Sequence, residues 1–301
     1  AFTSEAVRRY APTFWLPLSH CEAMSAQPDI ALVALCDIDP QALTLAQERY
    51  RVGKIYRDFN SLIDEVSPDI LGVATRTPER PEIIERAVLS GVRALHMEKP
   101  LCNSVEQLLK LERLLAAPAV ACTYGTLRRY FPVYQRARDL ALSGRFGALQ
   151  QIQVCFGPAS LFWTHAHSMD LILFMVGDAQ VERVSARFLP DAPASGSTFD
   201  CDPTVLCALL EFSNGVTGIV TQSGGCDVIL TCSHGSITVE SDGHHTRLRF
   251  GDGGDIYWRG SDVDRESESL AHATSGGTRF ALDRLVSALT GPDSTQVTVD
   301  K

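Results

Sequence analysis

Apolar runs and amphipathic helical segments alternate along the first 125 residues. Four continuous apolar runs have the pattern of strands buried on both faces: residues 30–37, 69–75, 93–98 and 119–125. Six segments have the pattern of helices: residues 2–12, 19–26, 40–50, 61–66, 79–91 and 104–117. Asp39 and Ser104 stand where N-caps belong, and Gly91 where a helix should close. Strand–helix units of this length predict a doubly wound parallel sheet.

The hydrophobic periodicity of the remaining residues is different and is mostly that of strands. Seven segments alternate apolar and polar residues with short turns between them: residues 149–155, 180–189, 204–213, 216–223, 227–232, 235–241 and 246–250. Three helices are predicted as well: residues 131–143, 167–176 and 277–290. The pattern predicts an α/β, Rossmann-type dinucleotide-binding domain over residues 1–123. An α+β domain with a large, mostly antiparallel sheet should follow over residues 124–301.

Composition narrows the class of protein. The 301 residues carry a formal net charge of −9, with acids and bases interspersed, which disfavours a nucleic-acid or anionic-membrane surface. No apolar run approaches the ~20 residues that a membrane helix needs. The nine cysteines are odd in number and form no C-x-x-C pair, a usage typical of reduced cysteines. These features predict a cytoplasmic protein.

Chemistry-bearing residues stand where the predicted strands end, and ligands of doubly wound sheets bind at that edge. Asp37 closes the run "ALVALCD", ahead of Ile38. A carboxylate there can accept both ribose hydroxyls of an adenine nucleotide and repels a 2′-phosphate, which favours NAD over NADP. The alternative role, capping the next helix, suits Asp39 better. Thr75 ends the second run and is a weaker cofactor-binding candidate.

Lys99 lies in "HMEKPLCNSVEQ", directly after a predicted strand and before a predicted helix. A solvated loop lysine would be the ordinary interpretation. A lysine held at an apolar strand end, however, has its charge partly desolvated and can relay a proton. The sequence alone leaves both interpretations open.

The succession of motifs resembles the glucose–fructose oxidoreductase / inositol dehydrogenase / MocA family. The resemblance is carried in order by "ALCDIDP", "DILGVAT", "GVRALHMEKPL", "RRYFPVYQRARDLALSGRFGALQQIQV" and "HSMDLILFMVGD". It implies that Lys99 holds and polarises the reacting oxygen of the substrate. It also implies that Glu98 and Pro100 set the backbone beside a nicotinamide.

The family's second motif is H-x-x-D on a helix, here His167 to Asp170 within "FWTHAHSMDLILF". By resemblance, His167 is the general base that takes the hydroxyl proton, and Asp170 orients it or packs beneath it. The alternative is a histidine pair, His165 and His167, without a catalytic role. A metal site from these side chains is disfavoured, because nothing in the sequence supplies a second shell. Arg129, Tyr130, Trp163, His165 and Asp170 are the candidate substrate-binding residues.

The sequence departs from the family in two places. Many members carry an acid where this chain has Trp163. The glycine-rich phosphate loop is also missing. Because "FTSEAVRRY" resembles the helix after such a loop, we interpret the chain as starting just after it. The alternative is a protein that has lost dinucleotide binding.

The resemblance implies an NAD(P)-dependent oxidoreductase acting on a secondary alcohol or ketone of a sugar, cyclitol or sugar derivative. It also implies a homodimer or homotetramer formed through the sheet of the second domain. A non-catalytic nucleotide-binding sensor on the same fold is the main alternative. A hydrolase or lyase that uses bound NAD is a more distant one.

Overall fold

The computed structural model describes residues 15–116, 120–189, 201–250 and 276–291. These residues divide into two compact units. The first runs to Leu127 and includes the C-terminal helix, and the second begins at Arg128. The predicted helix at residues 2–12 lies outside the described residues.

The first unit has the predicted alternation of strands and helices. In chain order its elements are α1 (His20–Ala26), β1 (Ala34–Cys36), α2 (Pro40–Tyr50), β2 (Lys54–Tyr56), α3 (Phe59–Val66), β3 (Ile70–Val73), α4 (Arg80–Leu89), β4 (Ala94–Met97), α5 (Val105–Leu115) and β5 (Ala121–Tyr124). All its described strand pairs are parallel, in two ladders with the orders β1-β2 and β3-β4-β5. The strands are shorter than the apolar runs that predicted them.

Local signals set the helix ends. Asp39 caps α2, where its carboxylate accepts a hydrogen bond from the amide of Gln41 at 2.9 Å. Ser104 caps α5 through the amide of Gln107. Both caps confirm the predictions, since a short polar side chain satisfies an amide that the first helical turn leaves unpaired.

Helices cover both faces of the β3-β4-β5 sheet. On one face the core contains Ile63, Ile84, Leu95 and Leu111. On the other, α1 and the last helix, α8 (Arg279–Thr290), pack on Ala94 and Ala121. This two-sided burial explains why the strands read as unbroken apolar runs.

The second unit is built on one eight-stranded sheet. Its elements are α6 (Pro132–Leu142), β6 (Leu149–Cys155), β7 (Ala159–Ser160), α7 (Ala166–Val176), β8 (Val181–Phe188), β9 (Thr204–Phe212), β10 (Thr217–Val220), β11 (Asp227–Cys232), β12 (Gly235–Glu240) and β13 (His245–Phe250). The strand order is β13-β12-β11-β6-β10-β9-β7, with β8 also paired to β9. Among the strand pairs described in this sheet, β10–β6 alone is parallel. The predicted fold class, a doubly wound domain followed by a mostly antiparallel α+β domain, is confirmed.

Candidate active site

Lys99 follows the carboxyl end of β4, the central strand of its ladder. The strand edge continues past the ladder, because the amide of Glu98 donates to the carbonyl of Val73 at 2.9 Å. On the other side, the amide of Gly125 donates to the carbonyl of Met97 at 2.8 Å. Lys99 is half-buried, and its bond to Pro100 is cis. The backbone that presents the lysine is therefore fixed from two neighbouring strands.

Arg80, at the start of α4, joins the loops that follow β3 and β4. Its guanidinium donates to the carbonyl oxygens of Thr75 and Pro100. The side chain is 3% exposed, and burial lowers the pKa of its guanidinium. A buried guanidinium that donates to two carbonyls holds both loops in one arrangement. Sequence analysis missed this role, because "TPER" gives no signal of which carbonyls the arginine will reach.

The carboxylate of Glu98 lies against α1. It accepts from Nε2 of His20 at 3.4 Å and from the backbone amide of Lys99 at 3.1 Å. Desolvation raises the pKa of the Glu98 carboxyl, but the hydrogen bond and charge of His20 act in the opposite direction and bring the pKa to about 2. Glu98 is thus held as a carboxylate directly beside the lysine.

Asp37, Ile38 and Thr75 lie at strand ends, as predicted. Asp37 follows β1, and its Oδ1 accepts the amide of Asp39 at 3.0 Å, so the carboxylate is fixed at the carboxyl end of the strand. Ile38 is 82% exposed and Thr75 is exposed. These positions fit the adenosine and nicotinamide ends of a dinucleotide.

The described residues ahead of β1 contain no glycine-rich phosphate loop. In a doubly wound sheet, that loop precedes a helix that leads to the acidic strand, and α1, with Ser19 as its N-cap, is the described helix ahead of β1. That the chain starts just after the loop stays a prediction. None of the first 52 residues is a glycine. Pro17 has no amide to offer, and its carbonyl accepts from Thr278 at 2.9 Å. The described residues therefore lack the glycine-rich amide cradle for a pyrophosphate.

His167 lies in the first turn of α7, directly after a π-helical turn over Leu161–His165. The carboxylate of Asp202 accepts the amides of Phe162 and Trp163, at 2.7 and 3.0 Å, and so fixes the start of this turn. His167 is half-buried. Single π turns in helices occur frequently at functional sites.

Arg129 and Asp170, both predicted to bind substrate, are paired with each other. Nε of Arg129 donates to Oδ2 of Asp170 at 3.0 Å, and a second guanidinium nitrogen lies 2.6 Å from Oδ1. The two side chains are 13% and 8% exposed. The bidentate geometry fixes the carboxylate one helical turn after His167. Contact of either side chain with a substrate stays a prediction.

The other candidate substrate residues differ in exposure. Trp163 is 69% exposed, whereas Tyr130 and His165 are buried. Nδ1 of His165 lies 3.0 Å from the hydroxyl of Ser168, and burial lowers the pKa of its imidazole. His165 is thus built into the helix start, and its contact with a substrate stays a prediction.

A second buried ion pair escaped sequence analysis. Arg128 donates to both carboxylate oxygens of Asp242, at 2.7 and 2.9 Å, and the hydroxyl of Tyr134 donates to the same carboxylate at 3.1 Å. Asp242 adopts a left-handed backbone conformation with φ of 59°. The only sequence signal was the "DG" turn, which predicts the conformation but not the partner.

The described residues contain neither a candidate metal site nor a candidate membrane-spanning helix. No group of three or more histidine, cysteine or acidic side chains among them is placed to hold a metal ion. No helix in the described part of the chain is long and apolar enough to cross a membrane.

The parallel sheet, the acidic strand end and the E-K-P turn define a Rossmann-type nucleotide-binding unit. Residues 17–126 match the model of the oxidoreductase family with an NAD-binding Rossmann fold, Gfo/Idh/MocA. This match, which lies within the first unit, supports the resemblance to that family, and nicotinamide dinucleotides are the cofactors of the family.

Curated relatives and solved structures agree with this assignment. The chain is 24% identical to a D-apiose dehydrogenase of Paraburkholderia graminis over 221 residues. This match covers 68% of the chain and 57% of that protein. It is 22% identical to a myo-inositol 2-dehydrogenase of Thermotoga maritima, over 68% of this chain and 64% of the relative. The matches thus span less than two thirds of these relatives' lengths. A levoglucosan dehydrogenase in complex with NADH and levoglucosan has the same fold, with a TM-score of 0.68 at 16% identity, over 84% of this chain and 77% of that one.

Proposed function

We propose that the protein is a nicotinamide-dependent dehydrogenase that interconverts a secondary alcohol and a ketone on a sugar, cyclitol or sugar derivative. The observation that carries the proposal is the placement of Lys99. It is half-buried at the carboxyl end of β4, beside a fixed carboxylate and a loop clamped by Arg80. A solvated loop lysine would need none of these supports. The relatives named for sugars and inositol support the substrate class.

The chain's own residues would divide the chemistry in the following way. Lys99 donates a hydrogen bond to the reacting oxygen and holds it. His167 takes the hydroxyl proton during oxidation and returns it during reduction, as an imidazole can near neutral pH. Asp37 binds the ribose hydroxyls of the cofactor. A bound nicotinamide would supply the hydride acceptor or donor.

Absorbance at 340 nm tests this proposal. The purified protein is mixed with NAD⁺ or NADP⁺ and with D-apiose, D-xylose, myo-inositol or levoglucosan. We expect turnover of at least one of these with NAD⁺, and its loss in Lys99→Ala. Lys110→Ala is the matched control, because Lys110 lies on the exposed face of α5 and is paired with Glu85. No turnover of any of the four, or full turnover by Lys99→Ala, would contradict the proposal.

One pair of observations favours the sensor as a second candidate. Trp163 is exposed where many family members have an acid, and the first 52 residues contain no glycine for a phosphate loop. A sensor would bind NADH, as measured by fluorescence, without turnover of any polyol. Binding without turnover would therefore support the sensor against the dehydrogenase.

We also propose that two copies associate through the sheet of the second unit. All eight residues of β8 are exposed, and Val181, Val184 and Phe188 place exposed apolar side chains among its polar ones, as a subunit contact would use. Light scattering after gel filtration should give a dimer or tetramer. Val184→Glu should shift the mass to the monomer, whereas Leu45→Glu on exposed α2 should not. A monomeric wild-type protein would contradict the proposal.

We expect the assembly to reside in the cytoplasm.

A further inference from the structure

A group of four polar side chains lies beneath the loop that carries Lys99. The ring of His20 on α1 lies against that of His96 on β4 in a tilted arrangement, with ring centroids 4.3 Å apart and an interplanar angle of 50°. Nδ1 of His96 lies 2.9 Å from the hydroxyl of Thr123 on β5. His20 also lies 3.4 Å from the Glu98 carboxylate. A row of polar groups thus runs from β5 through β4 and α1 to the residue before Lys99.

The Glu98 carboxylate is enclosed on several sides. His20 and the amide of Lys99 supply hydrogen bonds to it. Gly125 closes another side, because a Cβ at that position would lie 2.8 Å from Oε2 of Glu98. The carboxylate therefore has one orientation that satisfies its donors without a steric clash.

Packing alone does not explain why a histidine rather than an aliphatic residue occupies position 20. His20 is 6% exposed and His96 is fully buried, and Nδ1 of His20 and Nε2 of His96 have no hydrogen-bond partner among the described residues. Burying an unpartnered ring nitrogen is unfavourable, and an aliphatic side chain would fill the space without that penalty. Met24, one turn further along α1, fills the adjoining space against Gly72 in that way. The position of His20 therefore requires a hydrogen-bond donor, and the group it serves is Glu98.

We propose that His20 is a positioning residue of the active site: it orients the Glu98 carboxylate, which in turn fixes the peptide of Lys99. The step from this lysine to catalysis rests on the proposed dehydrogenase function. The positioning itself can be tested whether or not the protein turns over a sugar.

Four variants separate positioning from packing. His20→Leu fills the space but removes the donor, whereas His20→Gln keeps an amide donor close to the place of Nε2. Gly125→Ala displaces the carboxylate from the other side without changing α1. Met24→Leu is the control, because Met24 lies on the same helix and packs beside Gly72 of the sheet but has no polar group to donate.

The backbone amide of Lys99 reports the orientation of the Glu98 carboxylate directly, because it donates a hydrogen bond to that carboxylate. The chain has four lysines, at positions 54, 99, 110 and 301, so selective ¹⁵N-lysine labelling gives four amide signals. Lys99→Arg identifies the signal of residue 99. Loss of a hydrogen bond to a carboxylate, about 1.5–3 kcal/mol, corresponds to hydrogen exchange faster by roughly 10- to 100-fold. We expect this change, with an upfield shift, in His20→Leu and Gly125→Ala, and much less in His20→Gln and Met24→Leu.

Kinetics then test the consequence for catalysis. On a substrate that the wild type oxidises, His20→Leu should lower kcat by roughly 10-fold or more and leave KM for NAD⁺ nearly unchanged. His20→Gln should restore most of kcat. Glu98 should also become protonated at higher pH without its partner, so activity of His20→Leu should fall on acidification at a pH where the wild type remains active.

The outcomes are distinguishable. An unchanged Lys99 amide in folded His20→Leu and Gly125→Ala overturns the positioning role. An altered amide with unchanged kcat overturns its importance for catalysis. A wild type that turns over no sugar overturns the proposed function, and the amide measurement still decides whether His20 positions Glu98.

Discussion

Arg129 and Asp170 form a bidentate ion pair inside the second unit, with oxygen–nitrogen distances of 2.6 and 3.0 Å. The sequence predicts both as contacts for a substrate, which stays a prediction, and the fold also pairs them with each other. Asp170 therefore fixes the 3₁₀ turn that contains Arg129 (Leu127–Tyr130) against the helix that carries His167. The pair orders the framework around the predicted general base.

This pairing predicts a large loss of stability in single variants. Asp170→Leu should lower the free energy of unfolding by about 3–5 kcal/mol, because it leaves the Arg129 guanidinium buried without its partner. The double variant Arg129→Met with Asp170→Leu should recover most of the loss, since it removes both charges. Urea denaturation measures these values, with Asp178→Asn on the exposed turn after α7 as the control. Losses that simply add in the double variant would contradict the coupling.

Asp37 predicts the choice of cofactor. The wild type should bind NADH more tightly than NADPH, because the carboxylate at the end of β1 repels a 2′-phosphate. Asp37→Ser should reduce this preference, whereas Glu48→Gln, exposed on the helix that follows, should not. Fluorescence titration with both dinucleotides measures the ratio. Tighter NADPH binding by the wild type would remove the assignment of Asp37.

The family motifs predict that Lys99 and His167 serve one proton transfer. Lys99→Ala and His167→Ala should each lower kcat/KM by roughly 10²–10⁴-fold, as expected for loss of a positioned acid–base group. The double variant should lose less than the product of the two effects. NADH affinity should change little in His167→Ala, and His245→Ala, at an exposed strand start, serves as the control. Full activity of Lys99→Ala would show that Lys99 is only a loop residue.

The Arg80 clamp predicts a combined effect on stability and turnover. Arg80→Met should lower the free energy of unfolding by about 1.5–3 kcal/mol, because the carbonyls of Thr75 and Pro100 lose a charged donor. It should also lower kcat/KM, since Pro100 follows Lys99, the proposed catalytic lysine. Arg76→Met changes an exposed arginine in the same loop and should have little effect. Thermal unfolding with steady-state kinetics measures both effects, and an unchanged melting temperature would contradict the clamp.

The cysteines predict a fully reduced chain. All nine are described and none is in a disulfide. Burial raises the pKa of the Cys122 thiol to about 12 and that of Cys232 to about 11, so these thiols should react slowly in the native protein. Titration of unfolded, non-reduced protein should find close to nine free thiols. A native disulfide found by mass spectrometry would remove the cytoplasmic assignment.

The sequence by itself determined the features that depend on neighbouring residues. Asp39 and Ser104 cap their helices because a capping side chain reaches an amide two or three residues away. The apolar runs identified the strands, and Lys99 was predicted at a strand end because that position follows directly from the run before it. The order of these motifs carried the resemblance to the family, which the match over residues 17–126 supports.

Only the tertiary structure decided which distant side chains meet. His20 and Glu98 are 78 residues apart, Arg129 and Asp170 are 41 apart, and Arg128 and Asp242 are 114 apart. Each pair depends on strand order and on the face of a helix that turns inward, and neither periodicity nor composition encodes them. The physical reason is that a buried charge must find a partner within a few ångströms, and the fold alone sets which one is available.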